Sequence, residues 1–202
     1  MARKTASAGA ADPRARVVDA AFRIAARDGW VAVDAAAIAR SLKLTQAEVT
    51  RLVPDRAALL VALNDKVDGE VVAGLDPDLL REPPRDRLFE TLMRRFELLE
   101  PYREGLRTLN AECRSDPLLA SMLAAGLLLS MRRMLEVAGL GGTPWTMLIH
   151  VKALTAIWVY TARTWFADDT EDRARTMAVL DRALERAEGL ARSIGLIRSP
   201  AR

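Results

Sequence analysis

The chain of 202 residues has little of the side chains that perform covalent and metal chemistry. It contains one cysteine, Cys113, and one histidine, His150. A single cysteine excludes an intrachain disulfide, and no Cys/His cluster has the spacing of a zinc site. A Cys/His nucleophile pair would require these two residues to meet, and neither a glycine-rich phosphate loop nor a nucleophile elbow is present. The sequence therefore predicts a protein that is not an enzyme and that holds no metal or cofactor.

Long apolar runs are also missing. A helix that crosses a bilayer needs roughly 18 or more consecutive apolar residues, and the longest candidate, Leu118–Met131, is interrupted by Ser121, Gly126 and Ser130. The N-terminal Met1–Lys4 is basic, as in a signal peptide, but small residues follow it where an apolar region would be needed. We predict a cytoplasmic protein with no membrane span.

Charge is small in total but unevenly distributed. The net charge is +3, and residues 1–60 carry ten Lys and Arg against six Asp and Glu, whereas residues 61–202 have a balance of −1. A basic N-terminal segment suits contact with the phosphates of a nucleic acid. Half of the residues are hydrophobic, so a chain of this length can bury the core of one or two domains.

What the sequence does contain is helical periodicity, and no segment alternates like a β-strand. We predict an all-α fold of about nine helices. In the first helix, Asp12 is placed as the N-cap, Pro13 follows at the first helical position, and Gly29 ends the helix. Three prolines between residues 74 and 85 mark the best linker in the chain. A domain boundary is expected there.

Only two residues, Lys43 and Leu44, separate the second and third predicted helices. Asp34 is placed to cap the second helix. Thr45 is placed to cap the third, and Glu48, three residues on, completes a capping box in which each residue's side chain binds the other's backbone amide. This helix-turn-helix is the arrangement of a DNA reader. A three-helix unit with a short turn also occurs as a purely structural module, which is the alternative interpretation.

Two apolar stripes, with alternating spacings of three and four residues, lie in the last two predicted helices. Such stripes pack against partner helices, either within the subunit or across the two-fold axis of a dimer. The sequence leaves both possibilities open. The stripe residues that would form a dimer interface are Leu148, Val151, Thr155, Ala162, Trp165, Met177, Leu180, Leu184, Ala187 and Ala191.

A further pattern at fixed spacings lies between Arg16 and Leu60. It consists of Gly29-Trp30, Ile38-Ala39, Thr45, Pro54 and Ala58-Leu59-Leu60. These residues, without a gap, resemble the N-terminal domain of the tetracycline-repressor (TetR) family. The resemblance implies a homodimeric transcriptional regulator, typically a repressor, that binds palindromic double-stranded DNA and is released or modulated by a hydrophobic small-molecule effector.

With this resemblance, the expected organisation has three parts. Residues 1–12 are expected to be a disordered tail. Residues 13–73 would be the helix-turn-helix DNA-binding domain, and residues 85–195 a helical domain for ligand binding and dimerisation.

The third helix, which would read the bases, departs from the family pattern. Lys43 stands where family members commonly have Gly, and residues 46–50 replace a Lys-Gly-Thr-Leu-Tyr run whose Lys and Tyr contact phosphate. Gln46 can still pair with adenine, Thr50 with a thymine methyl group or a phosphate, and Arg51 with the DNA backbone. The predicted DNA-binding residues are Arg14, Lys43, Thr45, Gln46, Ala47, Thr50, Arg51 and Arg56.

Large side chains beyond the linker are candidates to surround an effector cavity. A Met or Trp at helical spacing also simply fills a core, so packing is the alternative interpretation for each of them. The candidate pocket residues are Phe96, Leu99, Tyr102, Met122, Met131, His150 and Trp158.

Two later segments, Pro101–Gly105 and Trp165–Asp172, are similar to a second group of proteins with the TetR fold, the ubiquinone-biosynthesis accessory proteins. Those proteins bind lipid instead of DNA. This similarity implies an alternative function, a lipid- or isoprenoid-binding accessory protein that has lost specific DNA binding.

Overall fold

The computed structural model describes residues 12–193, apart from the side chain of Arg192, and all regular elements within that range are helical. The predicted all-α fold is confirmed. Three short 3-10 helices lie at Trp30–Ala32, Pro77–Arg81 and Glu100–Tyr102. The α-helices are α1 Pro13–Asp28, α2 Ala35–Leu42, α3 Gln46–Leu52, α4 Arg56–Gly74, α5 Pro84–Leu99, α6 Arg103–Glu112, α7 Pro117–Val137, α8 Pro144–Trp165 and α9 Ala174–Ser193.

The ends of α1 follow from local chemistry. The Asp12 side chain accepts a hydrogen bond from the Arg14 amide at 3.0 Å, and Pro13 occupies the first helical position. At the other end Gly29 has a φ of 86°, which a side chain would disfavour. Both ends agree with the sequence prediction.

Residue packing divides the described chain into two compact units. The first unit contains residues 12–66 together with Pro101–Leu123, and the second contains Val67–Glu100 together with residues 124–193. Residues 101–123 therefore pack with the N-terminal helices, although they follow the linker predicted at residues 74–85. The predicted functional division stays a prediction, and residues 1–11 and 194–195 of its outer parts lie outside the described range.

In the first unit, α6 lies close against α1. A Cβ on Gly105 would be 2.7 Å from the Phe22 carbonyl oxygen and 2.9 Å from its ring, so only glycine fits without a shift. The Thr108 hydroxyl donates to the Ala25 carbonyl oxygen at 3.2 Å. This contact fixes α6 to the helix that supports the N-terminal bundle.

The core of the second unit combines aromatic stacking with a buried ion pair. Phe96 and Trp158 stack with ring centroids 4.0 Å apart and an interplanar angle of 7°. The Arg95 guanidinium lies 4.5 Å from the Trp158 ring centroid and donates to the Asp68 carboxylate at 3.0 Å, and the Ser130 hydroxyl donates to the same carboxylate at 2.8 Å. Side chains from α4, α5, α7 and α8 thus meet in one enclosed cluster.

Helix α7 is the one helix of the described range that is long and apolar enough to cross a membrane by length and composition. Its most apolar 18-residue window has a mean hydropathy of 1.5, and 28% of that window is buried in the protein. A single helix of this kind is weak evidence for a membrane span, because core helices of soluble proteins meet the same criteria.

Candidate nucleic-acid interface

The turn between α2 and α3 is closed by backbone hydrogen bonds. The Leu44 amide donates to the Ala39 carbonyl oxygen at 3.0 Å and the Lys43 amide to that of Arg40 at 3.5 Å, which is the pattern of a Schellman motif. Lys43 holds the left-handed conformation, with a φ of 56°. This geometry explains why two residues suffice as a turn and why glycine is the usual residue at such a position.

The N-terminus of α3 carries the predicted capping box. The Thr45 hydroxyl accepts from the Glu48 amide at 3.2 Å, while the Glu48 carboxylate accepts from the Thr45 amide at 2.8 Å and from its hydroxyl at 2.7 Å. These hydrogen bonds, led by the Thr45 amide, hold the pKa of Glu48 below its usual range. The prediction that Glu48 serves α3 as a cap is confirmed. Asp34 caps α2 with its side chain alone, which accepts from the Ala37 amide at 2.6 Å.

The outer face of α3 is exposed. Val49 is buried beneath the helix and is 1% exposed, whereas Gln46, Ala47, Thr50 and Arg51 lie on the open side. Neither Gln46 nor Thr50 makes a side-chain hydrogen bond within the described residues. The structure therefore brings these four predicted DNA-binding residues together on one accessible face. The polar groups of Gln46 and Thr50 on this face are available to an outside partner. We call α2, the turn and α3 the reader.

Two of the predicted DNA-binding arginines have structural contacts of their own. Arg56, at the start of α4, donates through Nη2 to the Val31 carbonyl oxygen at 3.3 Å and to that of Val33 at 3.5 Å. Arg14 lies 3.5 Å from the Asp65 carboxylate. Arg56 thus holds α4 against the segment that leads into α2. The sequence did not indicate this role, because the hydrogen-bond partners are backbone atoms more than 20 residues away.

The candidate pocket residues belong to both units. Within the second unit, Phe96, Leu99, Met131 and Trp158 are all buried, and His150 is half-buried with no hydrogen-bond partner at its enclosed Nδ1. In the first unit, Met122 is half-buried, and the Tyr102 hydroxyl donates to Asp19 at 2.6 Å and accepts from Lys66 at 2.7 Å. The buried members fill the cores of their units. Whether any of them contacts an effector stays a prediction.

The stripe residues of α8 and α9 differ in exposure. Trp165, Leu180 and Leu184 are at most 4% exposed, and Val151 is buried as well. The chain's own side chains cover these four residues, and their place in a dimer interface stays a prediction. Leu148 is 44% exposed. The remaining candidates, Thr155, Ala162, Met177, Ala187 and Ala191, are half-buried.

The acidic segment between α8 and α9 has a structural role. The buried Asp168 carboxylate accepts hydrogen bonds from the amides and hydroxyls of both Thr170 and Thr176. Burial opposes its ionisation, but these hydrogen bonds outweigh burial and hold the pKa of Asp168 well below its usual range. The segment that resembled lipid-binding proteins therefore anchors the start of α9.

Solved structures with a similar fold identify the architecture. A TetR transcriptional regulator from Nitrosomonas europaea superposes with a TM-score of 0.73 and 22% identity, covering 88% of this chain and 99% of that chain. The chain has the TetR fold. A transcriptional regulator from Rhodococcus sp. Rha1 is also similar in structure to this chain. It matches with a TM-score of 0.51 and 18% identity, over 89% of this chain and 95% of that one.

A third similar structure is the multidrug binding protein EbrR in complex with imidazole. It matches with a TM-score of 0.50 and 23% identity over 95% of this chain and 94% of its own. No family model matches the sequence, and no curated protein matches it. Because each of these three identities is below 25%, the likeness establishes the fold, and the function must be argued from this chain's own residues.

Proposed function

We propose that the protein is a dimeric TetR-type transcriptional regulator that reads palindromic double-stranded DNA with α3. The observation that carries the proposal is the outer face of α3. The helix is capped at its start and fastened from beneath by the buried Val49, while Gln46 and Thr50 stand exposed without partners among the described residues. An exposed short helix after a tight turn is the element that enters the major groove in helix-turn-helix proteins.

Each exposed side chain of the reader has a chemical role in this proposal. The Gln46 amide has the donor and acceptor needed to pair with the N7 and N6 groups of adenine, and Thr50 offers a methyl group to thymine or a hydroxyl to phosphate. Arg51 and Lys43, both exposed, neutralise phosphates. The Glu48 carboxylate is turned to the start of α3, where it accepts from the Thr45 amide and hydroxyl.

A salt titration tests the proposal. Fluorescence anisotropy with duplex fragments, repeated over a range of salt, should give an affinity that falls with salt by a slope of roughly −0.9 per phosphate contact. Arg51→Ala should reduce that slope by about one contact on every sequence. The matched control is Arg186→Ala, an exposed arginine on α9, which should leave the slope unchanged. Weak and equal binding to every sequence would count against a specific regulator.

The dimer is proposed to form through the outer face of α8. Leu148, Val159 and Tyr160 are each more than 40% exposed on this helix. Val159 and Tyr160 also line an open groove of about 470 Å³ together with Leu128 of α7. A two-fold axis there would pair two readers for the two halves of a palindrome.

Light scattering with Leu148→Glu tests this interface. The wild type should have the mass of two chains, and the variant that of one, because the substitution places a charge in the apolar contact. Leu80→Glu, at a 58% exposed leucine outside α8, is the matched control and should stay dimeric. A wild-type protein with the mass of one chain would contradict the proposal.

A hydrophobic small molecule is the proposed effector. The support is the likeness to a structure described as a multidrug binding protein. A thermal-shift screen of aryl and acyl compounds should find one that raises the melting temperature and also weakens DNA binding. A compound that stabilises the protein but leaves DNA affinity unchanged would not be such an effector. The similar solved structures do not favour the lipid-binding alternative.

A further inference from the structure

A cleft of about 500 Å³ lies between α1 and α2 in the first unit. Arg23 and Arg27 of α1 line it from one side, and Arg40 and Ser41 of α2 line it from the other. Asp28 is the one acidic residue of the lining, so three arginines leave the cleft with a balance of +2. We call it the arginine cleft. Its volume falls within the range of ordinary small-ligand sites, roughly 300–1,000 Å³.

Helical spacing explains why these side chains converge. Arg23 and Arg27 are four residues apart on α1, and Arg40 follows Ala37 by three residues on α2. Residues at such spacings are neighbours on one face of a helix. The buried Ile24 and the half-buried Ala37 supply apolar parts of the lining. The cleft thus presents cationic groups beside a small apolar surface.

Several hydrogen-bond donors of the cleft have no partner of their own. Arg40 and Ser41 are exposed, and neither side chain makes a hydrogen bond or an ion pair within the described residues. The Arg23 Nε donates to the Asp19 carbonyl oxygen at 3.2 Å, which leaves both Nη groups of Arg23 without a hydrogen bond in the same part of the chain. A guanidinium group presents its donors as a fork that matches the oxygens of a phosphate.

Exposed arginines elsewhere in the chain have an acidic partner on the same helix. Arg81 pairs with Asp78 at 3.1 Å, and Arg132 pairs with Glu136 at 2.9 Å. The positions three and four residues before and after Arg40 hold no acidic residue. The local sequence of α2 therefore leaves the charge of Arg40 without a partner.

The α1 side of the cleft places like charges next to each other. Arg23 and Arg27 have the i,i+4 spacing at which like charges destabilise a helix. The Asp28 carboxylate relieves part of this repulsion, because it accepts from Arg27 Nε and Nη2 at 2.9 and 2.6 Å. Asp19, four residues before Arg23, is itself engaged by Lys66 at 2.6 Å. The cleft therefore keeps an excess of positive charge that a bound anion would neutralise.

We propose that the arginine cleft binds phosphate groups, with Arg23, Arg27 and Arg40 as the cationic contacts and the Ser41 hydroxyl as a further donor. The balance of +2 suits a ligand with at least two phosphate groups, and the apolar part of the lining suits an uncharged portion of that ligand. None of these residues belongs to the proposed DNA-reading face of α3. The site is therefore additional to the proposed function.

Calorimetric titration of the full chain with inorganic pyrophosphate, at constant ionic strength and without DNA, tests the site. The wild type should show saturable binding. Arg23→Gln and Arg40→Gln should each lower the affinity about tenfold, the size of one charged hydrogen bond. Arg16→Gln is the matched control, because it removes the same charge at an exposed position of α1 outside the cleft lining. It should keep the wild-type affinity.

Asp28→Asn should have the opposite effect. It removes the acidic residue of the lining and releases Arg27, so pyrophosphate should bind several-fold more tightly. A variant that had merely lost its fold could not show this gain. The proposal would be overturned by a wild type without saturable binding, by an equal loss in Arg16→Gln and Arg40→Gln, or by an unchanged affinity in Asp28→Asn.

The same titration in the presence of duplex DNA identifies the source of the phosphates. An unchanged pyrophosphate affinity would assign the cleft to a free phosphorylated ligand. Displacement of pyrophosphate by a duplex that Arg40→Gln binds more weakly would assign the cleft to the DNA backbone. Either result supports a phosphate site. Because the first titration contains no DNA, a chain that binds pyrophosphate but no DNA would refute the proposed function alone.

Discussion

The reader and the core of the second unit place their polar side chains in opposite ways. In the reader, Thr45 and Glu48 cap a helix, and Gln46 stands exposed without a partner among the described residues. In the second unit, Arg95 and Asp68 are both buried and paired. The difference teaches that substitutions at exposed residues of the reader can alter what it binds with little loss of folding stability. A substitution in the buried pair lowers the stability of the fold first.

The largest effect is expected from breaking the buried pair. Arg95→Met leaves the Asp68 carboxylate buried with its ion pair gone, and should lower the free energy of unfolding by roughly 3–5 kcal/mol. Arg132→Met removes an exposed i,i+4 pair with Glu136 and should cost less than about 1 kcal/mol. Urea denaturation measures both. Equal losses would mean that burial does not distinguish the two pairs.

A second substitution tests the close packing behind the reader. Gly105→Ala forces a Cβ to within 2.7 Å of the Phe22 carbonyl oxygen, and should lower the free energy of unfolding by roughly 1–3 kcal/mol. Gly69→Ala is the matched control, because its Cβ would meet nothing within 4 Å, and helix propensity there should add about 0.5–1 kcal/mol. The same sign for both variants in thermal unfolding would contradict the packing argument.

A third prediction concerns pH and the start of α9. The pKa of Asp168 is lower in the folded chain than in the unfolded one, because Thr170 and Thr176 stabilise its carboxylate. The contribution of the Asp168 carboxylate to the free energy of unfolding is therefore fully present above the unfolded pKa, roughly 3.9. It is lost as the pH falls below that value. Asp168→Asn should destabilise by about 1–3 kcal/mol at pH 7 and should flatten the decline in stability below pH 4. Glu171→Gln, an exposed neighbour, should leave the wild-type pH profile of urea unfolding in place.

The smallest effect is expected at Lys43 of the reader, where folding stability and DNA binding can be changed separately. Lys43 has a φ of 56°, so Lys43→Gly should raise the free energy of unfolding by about 1 kcal/mol. The same variant loses a cation and should bind DNA with a salt slope smaller by about one contact. Lys43→Ala loses the charge but keeps the backbone strain, so it should show only the second effect. A destabilised Lys43→Gly protein would contradict the account of the turn.

Local chemistry explains which features the sequence predicts well. The caps at Asp12, Asp34 and Thr45 connect atoms two or three residues apart, so residue type and spacing alone define them. The two-residue turn and the inward position of Val49 are equally local. The residues of the reader are consequently those for which sequence and structure agree most closely.

Long-range contacts explain what the sequence did not indicate. The Tyr102 hydroxyl is bound to Asp19, 83 residues away, whereas the sequence offered Tyr102 only as a large side chain beyond the linker and a candidate for a cavity. The stripe of α9 shows that Leu180 and Leu184 share a face, but spacing does not say what covers that face, and here it is the chain itself. Only the three-dimensional packing decides such roles.

The central claim is that α3 reads DNA. It is tested by selecting bound sequences from a pool of random duplexes with the wild type and with Gln46→Ala. The account predicts a palindrome in the wild-type selection and a relaxed preference for adenine at one position of each half-site in the variant. Glu70→Gln, at an exposed carboxylate on α4, is the control and should select the same palindrome as the wild type. Failure of the wild type to enrich any palindromic sequence would contradict the account.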